Sequence, residues 1–192
     1  MKISSLCFER FSLLLLIMSA GATAAESNYR FGYRLDYAVS PLKTSRINSE
    51  FSDLSSGHSS AFYVERRLVD GLALSMGPGA WNSESASQQF TLQYNSLGLM
   101  WRSGTAKPFL EAGADIGAGL AALSTGAGTL GEVQSPATVL RGLTGMYMLH
   151  MGIGAALGDW NLVLEARHFG FFGDAFSKLS SLTAGLSASY RI

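Results

Sequence analysis

The stretch Tyr29-Arg30-Phe31-Gly32-Tyr33-Arg34-Leu35-Asp36-Tyr37-Ala38-Val39 sets a large apolar side chain at every odd position. Arginine, glycine, aspartate and alanine fill the even ones. A period of two is the signature of a strand with one greasy and one polar face. Soluble strands usually run about 5–6 residues. An alternation this long fits a tilted membrane-crossing strand, which needs about 9–11. The far end of the chain repeats the pattern. Leu182, Ala184, Leu186, Ala188, Tyr190 and Ile192 alternate with Ser181, Thr183, Gly185, Ser187, Ser189 and Arg191.

Six further segments lie between these two. In 60–69, Phe62, Val64 and Leu68 oppose Tyr63, Glu65 and Arg67. In 72–81, Leu72, Leu74, Met76 and Ala80 oppose Ala73, Ser75, Gly77 and Gly79. In 88–101, Phe90, Leu92 and Tyr94 form the apolar face against Thr91, Gln93 and Asn95, and the phase slips near Asn95-Ser96, where a bulge is expected. In 108–122, Leu110, Ala112, Ala114, Ile116 and Leu120 oppose Glu111, Gly113, Asp115, Gly117 and Gly119. Segment 139–157 carries Leu143, Tyr147, Leu149, Met151 and Ile153 on its apolar face, and 160–169 sets Trp160, Leu162 and Leu164 against Asn161, Glu165 and Arg167. Asp70-Gly71 and Gly158-Asp159 are tight-turn pairs, and 102–107 is a third short connection. Segments 40–59 and 123–138 are long, 170–179 is intermediate and 82–87 is short. Short turns at one rim and longer loops at the other describe a bacterial outer-membrane barrel. The expected fold is therefore all-β, an eight-stranded antiparallel up-and-down transmembrane β-barrel with its loops outside the cell. Two alternatives stay open: a transmembrane helix over Val139–Leu157, weakened by Gly142, Gly145, Gly152 and Gly154, and a soluble β-sandwich.

Composition agrees. The 192 residues are 47% hydrophobic and only 15% charged, and 22 glycines disfavour long helices. Fourteen basic residues match fourteen acidic ones, which removes the electrostatic case for a nucleic-acid partner. Residues 1–24 read as a cleaved signal peptide: Lys2 and Arg10 at the start, Phe11 to Met18 as a short apolar core, and Ala22-Thr23-Ala24 as the cleavage site. Eight strongly apolar residues are too few to span a bilayer as a helix. The barrel domain is then 25–192, with 12 basic and 13 acidic side chains. Cys7, the one cysteine, falls in the leader ahead of its apolar core, so disulfides and lipid anchoring are not expected.

The polar faces carry Arg30, Arg34, Arg67, Arg167 and Arg191 with Asp36, Glu65, Glu111, Asp115 and Glu165. An eight-stranded lumen is only wide enough to be filled by side chains, so these ten charges are expected to pair and close it. Inward glycines such as Gly32, Gly77, Gly113, Gly117 and Gly185 make room. A narrow pore is the alternative. Tyr29, Tyr37, Phe62, Trp160 and Tyr190 lie near strand ends on the outer face, where aromatic belts form. Arg66 also points outward, close enough to the Asp70 turn to reach the interface.

No catalytic, cofactor or metal-binding residue is assigned, and no cofactor is expected. Gly126 to Gly131 matches the dinucleotide glycine pattern, but no helix follows and Pro136 interrupts. His58, His150 and His168 are far apart in sequence without a cysteine, which argues against a metal cluster and for solvated or lumen-satisfied rings. One enzymatic arrangement uses the loop rim: His58 with Ser60, and His168 with Asp174 and Ser177. Strands two and seven are not neighbours, so the two sets are not expected to meet.

The repeated alternation, the leader and the final Ser187-Ala188-Ser189-Tyr190-Arg191-Ile192 resemble the small OmpA/OmpX-type outer-membrane barrels over nearly all of 25–192. That resemblance implies outer-membrane localisation, membrane lipid and lipopolysaccharide as surroundings, the outer-membrane assembly machinery as partner, a monomer, and an extracellular ligand bound through loops. Such barrels end in an aromatic residue, and here Ile192 stands in that place. Glu165-Ala166-Arg167-His168-Phe169 is similar to the active strand of lipid A deacylases, which implies a serine two residues after the histidine. This chain has Gly170.

Overall fold

Eight antiparallel strands pair in chain order, and the last closes on the first. In this computed structural model, which describes residues 28–44, 47, 53–85, 88–104, 108–125, 139–173 and 176–192, they are β1 (Tyr29–Ala38), β2 (Ser56–Val69), β3 (Leu72–Glu84), β4 (Gln88–Arg102), β5 (Phe109–Thr125), β6 (Val139–Leu157), β7 (Trp160–Phe172) and β8 (Ser180–Arg191). Both alternatives fall: Val139–Leu157 is a strand bonded to β5 and β7, and one closed sheet replaces a sandwich. Closure satisfies the backbone of every strand and leaves no edge to aggregate. Asp70-Gly71 and Gly158-Asp159 turn as expected, with Gly71 and Gly158 in the left-handed region at φ 75° and 65°. The leader and Cys7, and the glycine-rich stretch 126–131, lie outside the described residues.

The wall is inverted relative to a soluble protein. Leucines and aromatics stand bare on its outside, with Leu143 77% and Leu120 67% exposed, while Asp36, Glu65, Glu111, Asp115, Glu165 and Arg167 are buried within. A continuous apolar exterior of this extent is solvated by lipid, not water. Trp160 stacks near Tyr190 at 5.0 Å and Tyr33 near Phe62 at 4.7 Å, with Arg66 over the Tyr29 ring at 5.8 Å. Arg66 is thus outward, as expected.

The alternation in β4 corrects the sequence reading. Its pairing with β3 and β5 runs from Gln88 to Arg102 without a shift, so there is no bulge at Asn95-Ser96. The irregularity sits instead between Arg67 and Val69 of β2. Every even residue of β4 faces inward. Phe90, Leu92 and Tyr94 are therefore buried lumen residues, and Gln89, Gln93 and Asn95 are exposed outside. The hydropathy, not the backbone, changes phase: toward the loop end the lumen becomes apolar, and the outer wall of β2–β4 becomes polar.

Glycine placement explains how one narrow lumen accommodates long side chains. Asp36 lies opposite Gly185, Asp115 opposite Gly98, His150 opposite Gly113, and both Glu111 and Glu165 opposite Gly152. A Cβ at Gly98 would collide with Asp115 Oδ1. Five more glycines sit under the ring of a cross-strand aromatic: Gly32 under Tyr63, Gly79 under Tyr94, Gly145 under Phe172, Gly154 under Phe109 and Gly170 under Tyr147. Such pairs restore packing lost at a glycine in a strand. Gly77 has the closest backbone neighbour, which cannot rotate away: a Cβ would collide with the Phe62 carbonyl oxygen and lie 2.8 Å from Tyr63 Cα. Gly77→Ala is expected to cost about 1–3 kcal/mol or more in denaturant unfolding of the folded barrel. Gly142→Ala, whose nearest neighbour is a Phe176 ring atom at 3.8 Å, is expected to be neutral.

Candidate functional site

Among the described residues three places stand out: the charged lower lumen toward the turn end, the apolar mouth at the loop end, and a groove on the outer wall. The lower lumen is layered. Nearest the turns, a cavity of about 540 Å³ is lined by Arg30, Arg67, Arg102, Arg191, Glu65 and Asp70 among others. Arg67 pairs with Asp70, and Arg191 approaches Asp159 at 3.6 Å; both arginines are about half exposed. Above them, Arg102 grips Glu65 through Nη1 and Nη2 at 2.6 and 2.9 Å and Glu111 through Nε at 2.7 Å. This bidentate geometry is the strong form of the ion pair. Higher still, Arg34 Nε lies 3.5 Å from Glu165 while its guanidinium covers the Tyr63 ring at 4.7 Å. Arg167 donates to Glu165 and lies 3.6 Å from Asp36, which accepts from Ser59 Oγ at 2.9 Å.

This arrangement revises the expected ten-charge balance. Arg30, Arg67 and Arg191 belong to the rim cavity, and Arg102, read from sequence as part of a turn, is a lumen residue at the end of β4. Among the described residues five carboxylates are buried, against the guanidinium groups of Arg34, Arg102 and Arg167, with Arg30 half-buried near Glu65. His150 enters among the carboxylates; it faces the lumen as one expectation had it, but it is not satisfied there. Neither ring nitrogen has a hydrogen-bond partner among the described residues.

Toward the loop end the lumen holds Trp81, Phe90, Leu92, Tyr94, Leu123, Met146, Met148, Phe169 and Phe171. Described residues of two connecting segments pack against it. Leu42 and Leu54 bridge to one another between β1 and β2 and are 1% and 0% exposed, with Lys43 paired to Asp53 at 2.9 Å beside them. Phe176 and Leu179, between β7 and β8, are 1% exposed and join the same cluster. Leu42, Leu54, Phe176 and Leu179 belong to no motif, and their apolar character in otherwise polar loops is the one sequence signal of burial.

On the outer wall near the loop end, a groove of about 480 Å³ is lined by Tyr147, His168, Phe171, Ser177, Lys178, Leu179 and Ser180. His168 and Ser177 are thus brought together, whereas Asp174 lies outside the described residues. His58 is exposed on β2, separated from β7 by β1 and β8, so the two histidine sets stay apart as expected. The His168 ring lies 5.9 Å from the Tyr147 ring. That same tyrosine fills the place a serine at 170 would need, since a Cβ there would collide with its Cζ.

No family model and no curated protein matches the chain. Solved structures do. Neisserial surface protein A (NspA) superposes with a TM-score of 0.62 at 12% identity, covering 88% of this chain and 99% of that one. A major outer membrane protein from Thermus thermophilus gives 0.58 at 11% identity, covering 85% and 99%. The fold is accordingly that of the small eight-stranded OmpA/OmpX-type outer-membrane barrels.

Proposed function

We propose that the chain is exported, loses residues 1–24, and resides as a monomer in a Gram-negative outer membrane, where it serves a structural or surface-interaction role without conducting solutes. The observation that supports this reading is the packing at two levels of the lumen. Leu42, Leu54, Phe176 and Leu179 cover an apolar layer at the mouth, and the Arg102–Glu65–Glu111 network closes the charged layer beneath. A rigid barrel with a filled interior leaves its loops as the working surface. The partners of this reading are membrane lipid and lipopolysaccharide around the wall, the assembly machinery during insertion, and an extracellular ligand on the loop face. Similarity to surface and outer-membrane proteins supports the compartment; the identity of the ligand does not follow from fold.

The test begins with cell fractionation. The protein is expected in the outer-membrane fraction, migrating differently in gels when unheated and when boiled. In planar bilayers it is expected to give no conductance steps. A soluble periplasmic protein without a heat-dependent shift overturns the compartment, and steady conductance overturns the closed lumen. A second reading, an outer-leaflet lipid-modifying enzyme, is favoured by the groove that joins His168 to Ser177 and Ser180. Its expected signature is a lipid A or phospholipid profile that changes on gene deletion and is not restored by His168→Ala. Tyr147 over Gly170 weighs against it.

A further inference from the structure

Three strands deliver one metal-type donor each to a single level of the barrel. The register sets Glu111 of β5 opposite Gly152 of β6, and Gly152 opposite Glu165 of β7. With no side chain at Gly152, the two carboxylates face one another across β6. His150, the next inward residue along that strand, enters between them. Its Nδ1 lies 4.0 Å from Glu111 Oε1 and 3.7 Å from a Glu165 oxygen, and donor atoms of all three lie within 4.8 Å of one another. On the other side of the ring, Nε2 lies 3.7 Å from Asp115 Oδ2.

Two further observations point to a cation. The His150 side chain is 2% exposed, yet both its nitrogens lack a hydrogen-bond partner among the described residues, as does Asp115 Oδ2, while Glu165 is held by Arg34 through Oε1 and by Arg167 through Oε2. Unmet polar atoms at this depth are costly and call for an occupant. The charge count leans the same way: among the described residues Asp36, Glu65, Glu111, Asp115 and Glu165 face Arg34, Arg102 and Arg167, with half-buried Arg30 as a fourth cation near Glu65. A protonated His150 or a bound cation makes up the deficit. One imidazole with carboxylates suits zinc and its neighbours in the transition series. Bonds of about 2.0–2.2 Å at tetrahedral angles separate ligand atoms by roughly 3.3–3.6 Å. The two His150 separations, 4.0 and 3.7 Å, need a contraction of a few tenths of an ångström, and the two carboxylates close from within 4.8 Å by side-chain rotation. The rim cavity reaches Glu65 and Arg102, so the Arg102 side chain must swing aside to admit an ion from the turn end.

We propose that Glu111, His150 and Glu165 bind one divalent metal ion of the zinc class inside the barrel, cross-linking β5, β6 and β7. Nδ1 is the imidazole ligand, and Asp115 orients the ring through Nε2, the usual carboxylate–histidine–metal relay. The inference rests on the lumen geometry and is independent of the surface role.

The test uses the untagged barrel purified in detergent micelles, dialysed against Zn²⁺ and analysed for bound metal, with Co²⁺ as a spectroscopic probe. The expected result is one Zn²⁺ per chain. His150→Gln is expected to lower affinity by about 100-fold or more and Asp115→Asn by about 10-fold with the stoichiometry kept. His58→Gln on the outer wall is expected to change nothing. Co²⁺ is expected to give visible bands that His150→Gln abolishes. A wild-type barrel that retains no stoichiometric metal, or metal binding that follows His58 in place of His150, overturns the proposal. Should His150→Gln lose the folded gel mobility, the wild-type stoichiometry and Co²⁺ spectrum, together with Glu111→Gln, decide in the same way.

Discussion

Arg167→Met is expected to destabilise the folded barrel by about 3–5 kcal/mol, the cost of stripping one partner from a buried ion network. Arg167 is 1% exposed and is the group that neutralises Asp36 and Glu165 together. Without it, Asp36 keeps the Ser59 hydroxyl, and Glu165 keeps Arg34 Nε at 3.5 Å. The methionine fills much of the volume, so the loss is electrostatic and not a cavity effect. The internal control is Arg67→Met. Arg67 also pairs with an aspartate, but the pair is at the rim, with side chains 50% and 93% exposed. Exposed pairs contribute about 0–1 kcal/mol, and that variant is expected to fall in this range. Adding Asp36→Asn to Arg167→Met is expected to recover part of the loss, giving a non-zero coupling in the double-mutant cycle. Unfolding in denaturant, followed by gel mobility and tryptophan emission, measures all three. If Arg167→Met is no worse than Arg67→Met, water stands in for the missing guanidinium and the lumen is hydrated.

The contrast between these two arginines shows what the sequence carries and what it does not. Parity is local: residues two apart share a face, so all eight strands and their turns can be read from the chain. Depth along the barrel axis is not local. Arg67 and Arg167 look alike in an alternation, and only the pairing register shows that one ends at a rim and the other lies beneath Phe169. The same blindness misplaced Phe90, Leu92 and Tyr94. The rule that apolar residues face outward holds at the charged level of the lumen and reverses where the lumen is apolar. In the sequence, a phase change in hydropathy therefore looks like a bulge in the backbone. His150 is the sharpest case. Metal motifs legible in sequence draw their ligands from one helix or loop at fixed spacing. Here Glu111, His150 and Glu165 come from three strands, and only their shared row across Gly152 brings them together.

Trp81→Ala tests the other half of the interior, and a loss of about 3–5 kcal/mol is expected, the range for truncating a fully buried aromatic. Trp81 is 0% exposed and meets the Phe169 ring edge-on at 4.5 Å and 87°. It shares its cluster with the loop residues Leu42, Leu54 and Phe176. In a water-filled channel the same substitution would remove an apolar side chain from water and be neutral or favourable. Stability therefore reports directly on whether the mouth is a packed core. Trp81→Phe separates packing from polarity. Trp81 Nε1 has no acceptor among the described residues, so phenylalanine gives up volume but also removes an unmet donor. Its expected loss is well below that of alanine. Conductance supplies the final discrimination. The layer made by Arg102 with Glu65 and Glu111 lies closer to the turn end and does not depend on Trp81. Trp81→Ala is accordingly expected to be less stable yet still closed in planar bilayers. A variant that keeps wild-type stability and conducts would show that the aromatic layer is a gate standing in an open lumen, and that the charged layer below it is no barrier.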